Sequence, residues 1–256
     1  FSEKLTASEL VALLKQYLTD MTDVLLENNG TLDKYIGDAI VAFYGAPIDV
    51  DDHELWACRT AIQMQEKLAI LRDGWRGEGD RWPEIVHNMQ NRIGISSGQM
   101  VTGNMGSESR MNYTMMGDNV NTAARLESSA KQYGIYIQIA DSTYQPVKDK
   151  VIVRDLDNVR VLGKEEPVKV WELISEIGQE PEPYKKILPA YNEALNLYKN
   201  QEWNKAIEAF KASDALEDMF AGRKTNPSRI YIPRCEHFID NPPGDNWDGV
   251  WTLTSK

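Results

Sequence analysis

Gly37-Asp38 places a carboxylate where a tight turn is expected, and a carboxylate at a turn tip, clear of neighbouring side chains, can approach divalent cations directly. Asp38 is therefore a candidate metal ligand, against the plainer reading of a solvent-facing hairpin turn. Asn121 and Arg125 stand four residues apart inside a helical pattern, so their side chains share one face and can reach one ligand. Taken singly, an arginine on a helix surface is usually just solvated. Asp118 precedes that helix and reads as its N-cap rather than as a ligand. Gly98, Gly103 and Gly106 read as turn residues, because they lack the strand-to-helix context of a phosphate loop. Cys58 and Cys235 show no metal-binding spacing and no disulfide framework, and are expected as two reduced, buried thiols.

These groups need elements to hold them. A capping box, Thr6-Ala7-Ser8-Glu9, followed by apolar residues at helical spacing predicts a helix over 7–28. Two short runs, 31–36 and 39–44, flank Gly37-Asp38 and predict a hairpin with glycine at the first turn position. A second amphipathic helix is predicted over 53–75, strands at 92–97, 100–102 and 112–116, and a helix over 119–133. Strands at 135–139, 151–162 and 168–174 complete an α+β sheet with helices on one face. Two prolines within 179–183 mark the expected boundary between a domain at 1–176 and a tail at 177–256. Tyr191, Ala194, Leu195, Tyr198, Trp203, Ala206, Ile207 and Phe210 predict a tetratricopeptide-like helical hairpin over about 184–216. One such hairpin cannot bury its own apolar face and must pack on the first domain or on a partner. No periodicity is legible in 225–256.

Two stretches acquire a common meaning when read together. Leu32-Asp33-Lys34-Tyr35-Ile36-Gly37-Asp38-Ala39 and Tyr113-Thr114-Met115-Met116-Gly117-Asp118-Asn119-Val120-Asn121-Thr122-Ala123-Ala124-Arg125-Leu126-Glu127 resemble, in this order, the class III adenylate and guanylate cyclases. The likeness is to the bacterial branch with threonine at the base-reading position, and it covers about residues 1–174. It implies a ferredoxin-like βαββαβ core whose first strand precedes Phe1, and conversion of ATP to 3′,5′-cyclic AMP and pyrophosphate with two magnesium or manganese ions per site. By the same resemblance Asp38 binds metal, Asn121 orients the ribose and Arg125 meets the phosphate oxygens. The family's second metal-binding aspartate lies on that first strand, so it is expected upstream of Phe1.

Lys34 and Thr114 match the purine-reading pair. A cationic donor beside an oxygen acceptor suits adenine, which offers an acceptor at N1 and a donor at N6; guanine reverses that pattern. Where many relatives carry Lys-Gly-Lys in the last hairpin, this chain has Leu162-Gly163-Lys164, leaving Lys164 as the candidate triphosphate contact. Family active sites combine residues of two chains, so a homodimer with shared sites is implied. The alternatives are a guanylate cyclase, or an inert cyclase fold serving dimerisation and docking through the tail hairpin.

Composition narrows the partners. A formal charge of −11 over 256 residues argues against a nucleic-acid or anionic-lipid surface. No apolar run reaches the roughly 18–20 residues of a membrane helix. The expected place is a cytoplasmic catalytic domain, with a protein that extends upstream of Phe1 into a sensor or membrane-anchored region.

Overall fold

In the computed structural model, which describes residues 4–159, 168–217, 223–244 and 246–251, the capping box forms as its sequence requires. The Thr6 side chain accepts from the Glu9 backbone while Glu9 reaches back to the Thr6 amide, and helix α1 (Ala7–Glu27) follows. Its stripe Leu13, Tyr17, Met21, Val24 and Leu25 packs with Met64, Leu68, Leu71 and Trp75 of α2 (His53–Gly77). Between them β1 (Thr31–Ile36) and β2 (Ala39–Phe43) pair antiparallel. A short helix, α3 (Glu84–His87), was not legible in the sequence because one turn gives no periodicity.

Four strands form the central sheet in the order β3 (Ile93–Ile95), β6 (Ile137–Ala140), β8 (Val168–Glu176), β7 (Val151–Val159). β3 runs parallel to β6, and the other neighbours are antiparallel. A separate ladder joins β4 (Val101–Ser107) to β5 (Arg110–Met116), so the expected α+β class holds while its strands fall into three ladders among the described residues. Gly103 and Gly106 lie inside β4, not in turns as expected. The neighbouring ladder on β5 overrides the weak strand preference of glycine there. Helix α4 (Asp118–Tyr133) lies directly on β3. A Cβ on Gly94 would sit 2.1 Å from the Ala123 carbonyl oxygen, so only glycine allows that approach. Leu126, Ala130 and Tyr133 of α4 then close over Leu156 and Val170. Helix α5 (Asp141–Val147), also unforeseen, contains Pro146.

The tail consists of α6 (Tyr184–Lys199), α7 (Trp203–Glu217) and α8 (Pro227–Asp240). α6 and α7 occupy the predicted hairpin positions, and their buried aromatic residues Tyr191, Tyr198 and Phe210 gather around Tyr231 and Phe238 of α8. The expectation of no regular element beyond 225 is corrected by α8. Its start is set by Asn226, whose side chain accepts from the Arg229 amide, and by Pro227 at the first helical position. Pro233 and the polar composition hid its period. Among the described residues no helix is long and apolar enough to cross a membrane.

Both cysteines are free and fully buried, and burial pushes each thiol up to about 12. The thiolate is the reactive form. Brief treatment of the native protein with iodoacetamide at neutral pH is therefore expected to leave both unmodified by mass spectrometry, with two alkylations after denaturation. Rapid native labelling of either would contradict their burial.

Candidate functional site

The hairpin that carries Asp38 is closed by Ile36 opposite Ala39, with Gly37 at a φ of 64° in the first turn position. That left-handed backbone is where glycine costs least, and it leaves Asp38 exposed at the tip. Burial raises the Tyr17 hydroxyl above its ordinary range, with a hydrogen bond from Asn91 opposing it and the charge of Asp38 adding to it. Upstream in β1 the register shifts between Leu32 and Lys34, leaving Asp33 as the extra residue of a bulge. Its side chain is only 3% exposed, whereas that of Lys34 is 47% exposed.

This bulge brings the two base-reading candidates together. Thr114, on β5, donates its hydroxyl to Asp33 Oδ2 at 2.9 Å, and Lys34 Nζ lies 3.6 Å from the same oxygen. Sequence reasoning missed Asp33. The only signal available was its place beside Lys34, which does not distinguish an inward from an outward side chain.

Gly117, not Asp118, occupies the cap position of α4; Asp118 is the first helical residue and makes no side-chain cap. Its carboxylate instead stands in the first turn, where the helix dipole favours negative charge. Ser96 donates to Asn119 Oδ1 at 3.0 Å, tying the start of α4 to the loop after β3. Asn121 and Arg125 share one depression of about 490 Å³ with Ala124, Ser128, Ser129 and Gln132, as their spacing predicted. Arg125 also borders a deeper cavity of about 570 Å³ between α4 and α8, lined by Arg234, His237 and Trp251. Both site residues are exposed, and among the described residues no carboxylate pairs with Arg125.

Neither cavity includes Asp38, Lys34 or Thr114. Lys34, Asp33 and Thr114 thus cluster together, while Asn121 and Arg125 border a separate depression. Lys164 lies outside the described residues. Among those residues no group of three or more His, Cys, Asp or Glu side chains is arranged to hold a metal ion. Asp38 supplies one hard oxygen donor, which by itself does not fit a two-ion site.

Residues 1–175 match the family model described as the adenylate and guanylate cyclase catalytic domain. The terminal-differentiation specific adenylate cyclase of Dictyostelium discoideum is 30% identical over 239 residues, a match covering 91% of this chain and so reaching well past residue 176 into the tail. The chain spans 11% of that relative's length. The adenylyl cyclase CyaB of P. aeruginosa is 32% identical with a TM-score of 0.60, over 70% of this chain and 89% of that one. The guanylyl cyclase Cya2 is 33% identical with a TM-score of 0.59, over 72% and 87%.

Proposed function

Because the chain belongs to the adenylate and guanylate cyclase catalytic domain family, we propose that it is the catalytic part of an adenylate cyclase acting as a homodimer on ATP. In this reaction the ribose 3′-oxygen bonds to the α-phosphorus, the bond to pyrophosphate breaks, and the 3′-hydroxyl proton passes to water. Arg125 holds the α-phosphate oxygens as charge builds on them, a role for which its lack of a carboxylate partner among the described residues leaves it available. Asn121, one turn away on the same depression, orients the ribose. Lys34 donates to adenine N1, and Thr114 accepts from the N6 amino group.

Metal ions are part of the family's chemistry, and Asp38 is the residue here that would bind magnesium or manganese. One carboxylate does not by itself complete such a site. That neither cavity bordered by Arg125 includes Asp38 supports completion by a second copy, in which Asp38 of one chain faces Lys34, Thr114, Asn121 and Arg125 of the other. Tail docking and an upstream sensor belong to the same reading of a longer signalling protein.

Meeting of Lys34 and Thr114 at one buried carboxylate is the observation that carries the choice of ATP. Similarity to Cya2 keeps guanylate cyclase as the rival. Assays offering ATP and GTP separately, with magnesium or manganese, are expected to show ATP preferred by about 10-fold or more in kcat/KM, since guanine leaves buried donors and acceptors mismatched. Preferred turnover of GTP would overturn the substrate; no turnover of either by the intact, folded dimer would favour the docking module.

A further inference from the structure

We propose that Asp33 is a specificity-determining residue: by taking the Thr114 hydroxyl proton as a hydrogen bond, it turns that hydroxyl into an acceptor for the nucleobase, and so selects adenine over guanine. The inference rests on the adenylate cyclase reading above and gives a role to the buried carboxylate at which its base-reading pair meets.

A threonine hydroxyl is ambiguous as a base reader. It carries one donor and two lone pairs on a freely turning bond, so alone it can accept from the N6 amino group of adenine or donate to the O6 carbonyl of guanine. A neighbouring carboxylate removes the choice. The Thr114 proton points to Asp33 Oδ2 at 2.9 Å, which leaves lone pairs for any ligand at the pair. Guanine O6 would then face oxygen lone pairs, while its N1 proton would face the Lys34 ammonium. Each of the two contacts opposes like with like.

Three features make Asp33 a built part of this pair. The bulge in β1 sets it apart from the regular alternation, with Leu32 opposite Ala42 and Lys34 opposite Val41. Its side chain is 97% buried beside a half-exposed lysine, so its proton-accepting atoms are directed into the protein and not to water. Oδ1 is buried and has no hydrogen-bond partner, an uncommon state for a carboxylate oxygen. Lys34, at 3.6 Å from Oδ2, is held near by charge yet beyond ordinary hydrogen-bond distance, and its donors stay free for N1.

The test is a cycle of variants in the intact protein: Asp33→Asn, Asp33→Ser, Thr114→Val, and each Asp33 change combined with Thr114→Val. Asparagine and serine can both donate to Thr114, which frees its proton for the ligand. Two readouts are taken with ATP and GTP, kcat/KM and displacement of a fluorescent ATP analogue, and unliganded melting confirms that each variant is folded. Both Asp33 variants are expected to lower the ATP-over-GTP ratio about 10-fold in kcat/KM and in displacement. Combined with Thr114→Val they are expected to add less than about twofold, because the hydroxyl they act through is gone. A ratio left within about twofold of wild type by both substitutions, or an equal loss in the two backgrounds, overturns the role of Asp33. A wild-type protein that prefers GTP overturns the substrate reading itself, and the two failures are thereby told apart.

Discussion

An equimolar mixture of Asp38→Ala and Arg125→Ala chains is expected to regain about a quarter of wild-type cyclase activity, although each variant alone falls by about 10²–10³-fold. The fraction follows from symmetry. If a dimer holds two sites, each taking Asp38 from one chain and Arg125 from the other, random assortment makes half of the dimers mixed, and each mixed dimer has one intact site and one doubly damaged one. The geometry that motivates this is the absence of Asp38 from both cavities bordered by Arg125. Exposed apolar side chains mark a surface that a second copy would cover: Val101 and Met116 on the β4–β5 ladder, Met111 near its tip, and Ile36 beside the Asp38 turn. Sedimentation and melting of each variant must show folded dimers before mixing. If activity then stays at the level of the single variants, the sites are not shared and the homodimer reading is wrong.

How much of this was legible in the sequence depends on the range of the interaction involved. The capping box, the Gly37-Asp38 hairpin and the Asn121/Arg125 spacing are local, and each appears where local chemistry placed it. Asp33 illustrates the opposite case. A bulge is a property of two paired strands, and the partner hydroxyl comes from Thr114, 81 residues away, so no window of β1 could reveal that its aspartate turns inward. Gly103 and Gly106 read as turns from composition, yet ladder bonds to β5 hold them extended. Asp118 was misplaced by one residue, because the glycine before it can serve as a cap without a side chain. Helix α8 was hidden for a compositional reason, since Pro227 and Pro233 mimic a breaker where one starts the helix and the other is tolerated inside it.

Removing the tail by ending the chain at residue 183 is expected to abolish cooperative folding and activity together. Sequence composition suggested a boundary near that point, but buried charge crosses it. Arg154, on β7 and fully buried, donates to Glu172 of β8 at 2.7 Å and to Glu217 of α7 at 2.6 Å. Burial alone would pull its guanidinium down, yet Glu172 and Glu217 hold it above the ordinary arginine range. Arg223 closes the same cluster by donating to Glu217 at 2.9 Å. Nearby, Asp157 of β7 accepts from Tyr133 of α4 and lies 2.7 Å from Arg234 of α8. A chain ending at 183 keeps Arg154 and Asp157 but loses Glu217, Arg223 and Arg234. Arg154 then keeps Glu172 but loses Glu217, and Asp157 keeps the Tyr133 hydroxyl but loses its cation. Breaking a buried pair costs about 3–5 kcal/mol, a large part of the total stability of about 5–15 kcal/mol of an ordinary domain, and the apolar faces that α6–α8 covered are uncovered as well. Because Tyr133 sits on the helix that bears Asn121 and Arg125, the damage reaches the site as well as the sheet. Point variants separate charge from bulk: Arg234→Met alone should lower the melting temperature sharply, whereas Arg234→Met with Asp157→Leu should recover part of the loss, since an apolar pair needs no partner. A truncated protein that melts cooperatively near the wild-type temperature and still turns over nucleotide would show that the catalytic sheet holds these charges without the tail.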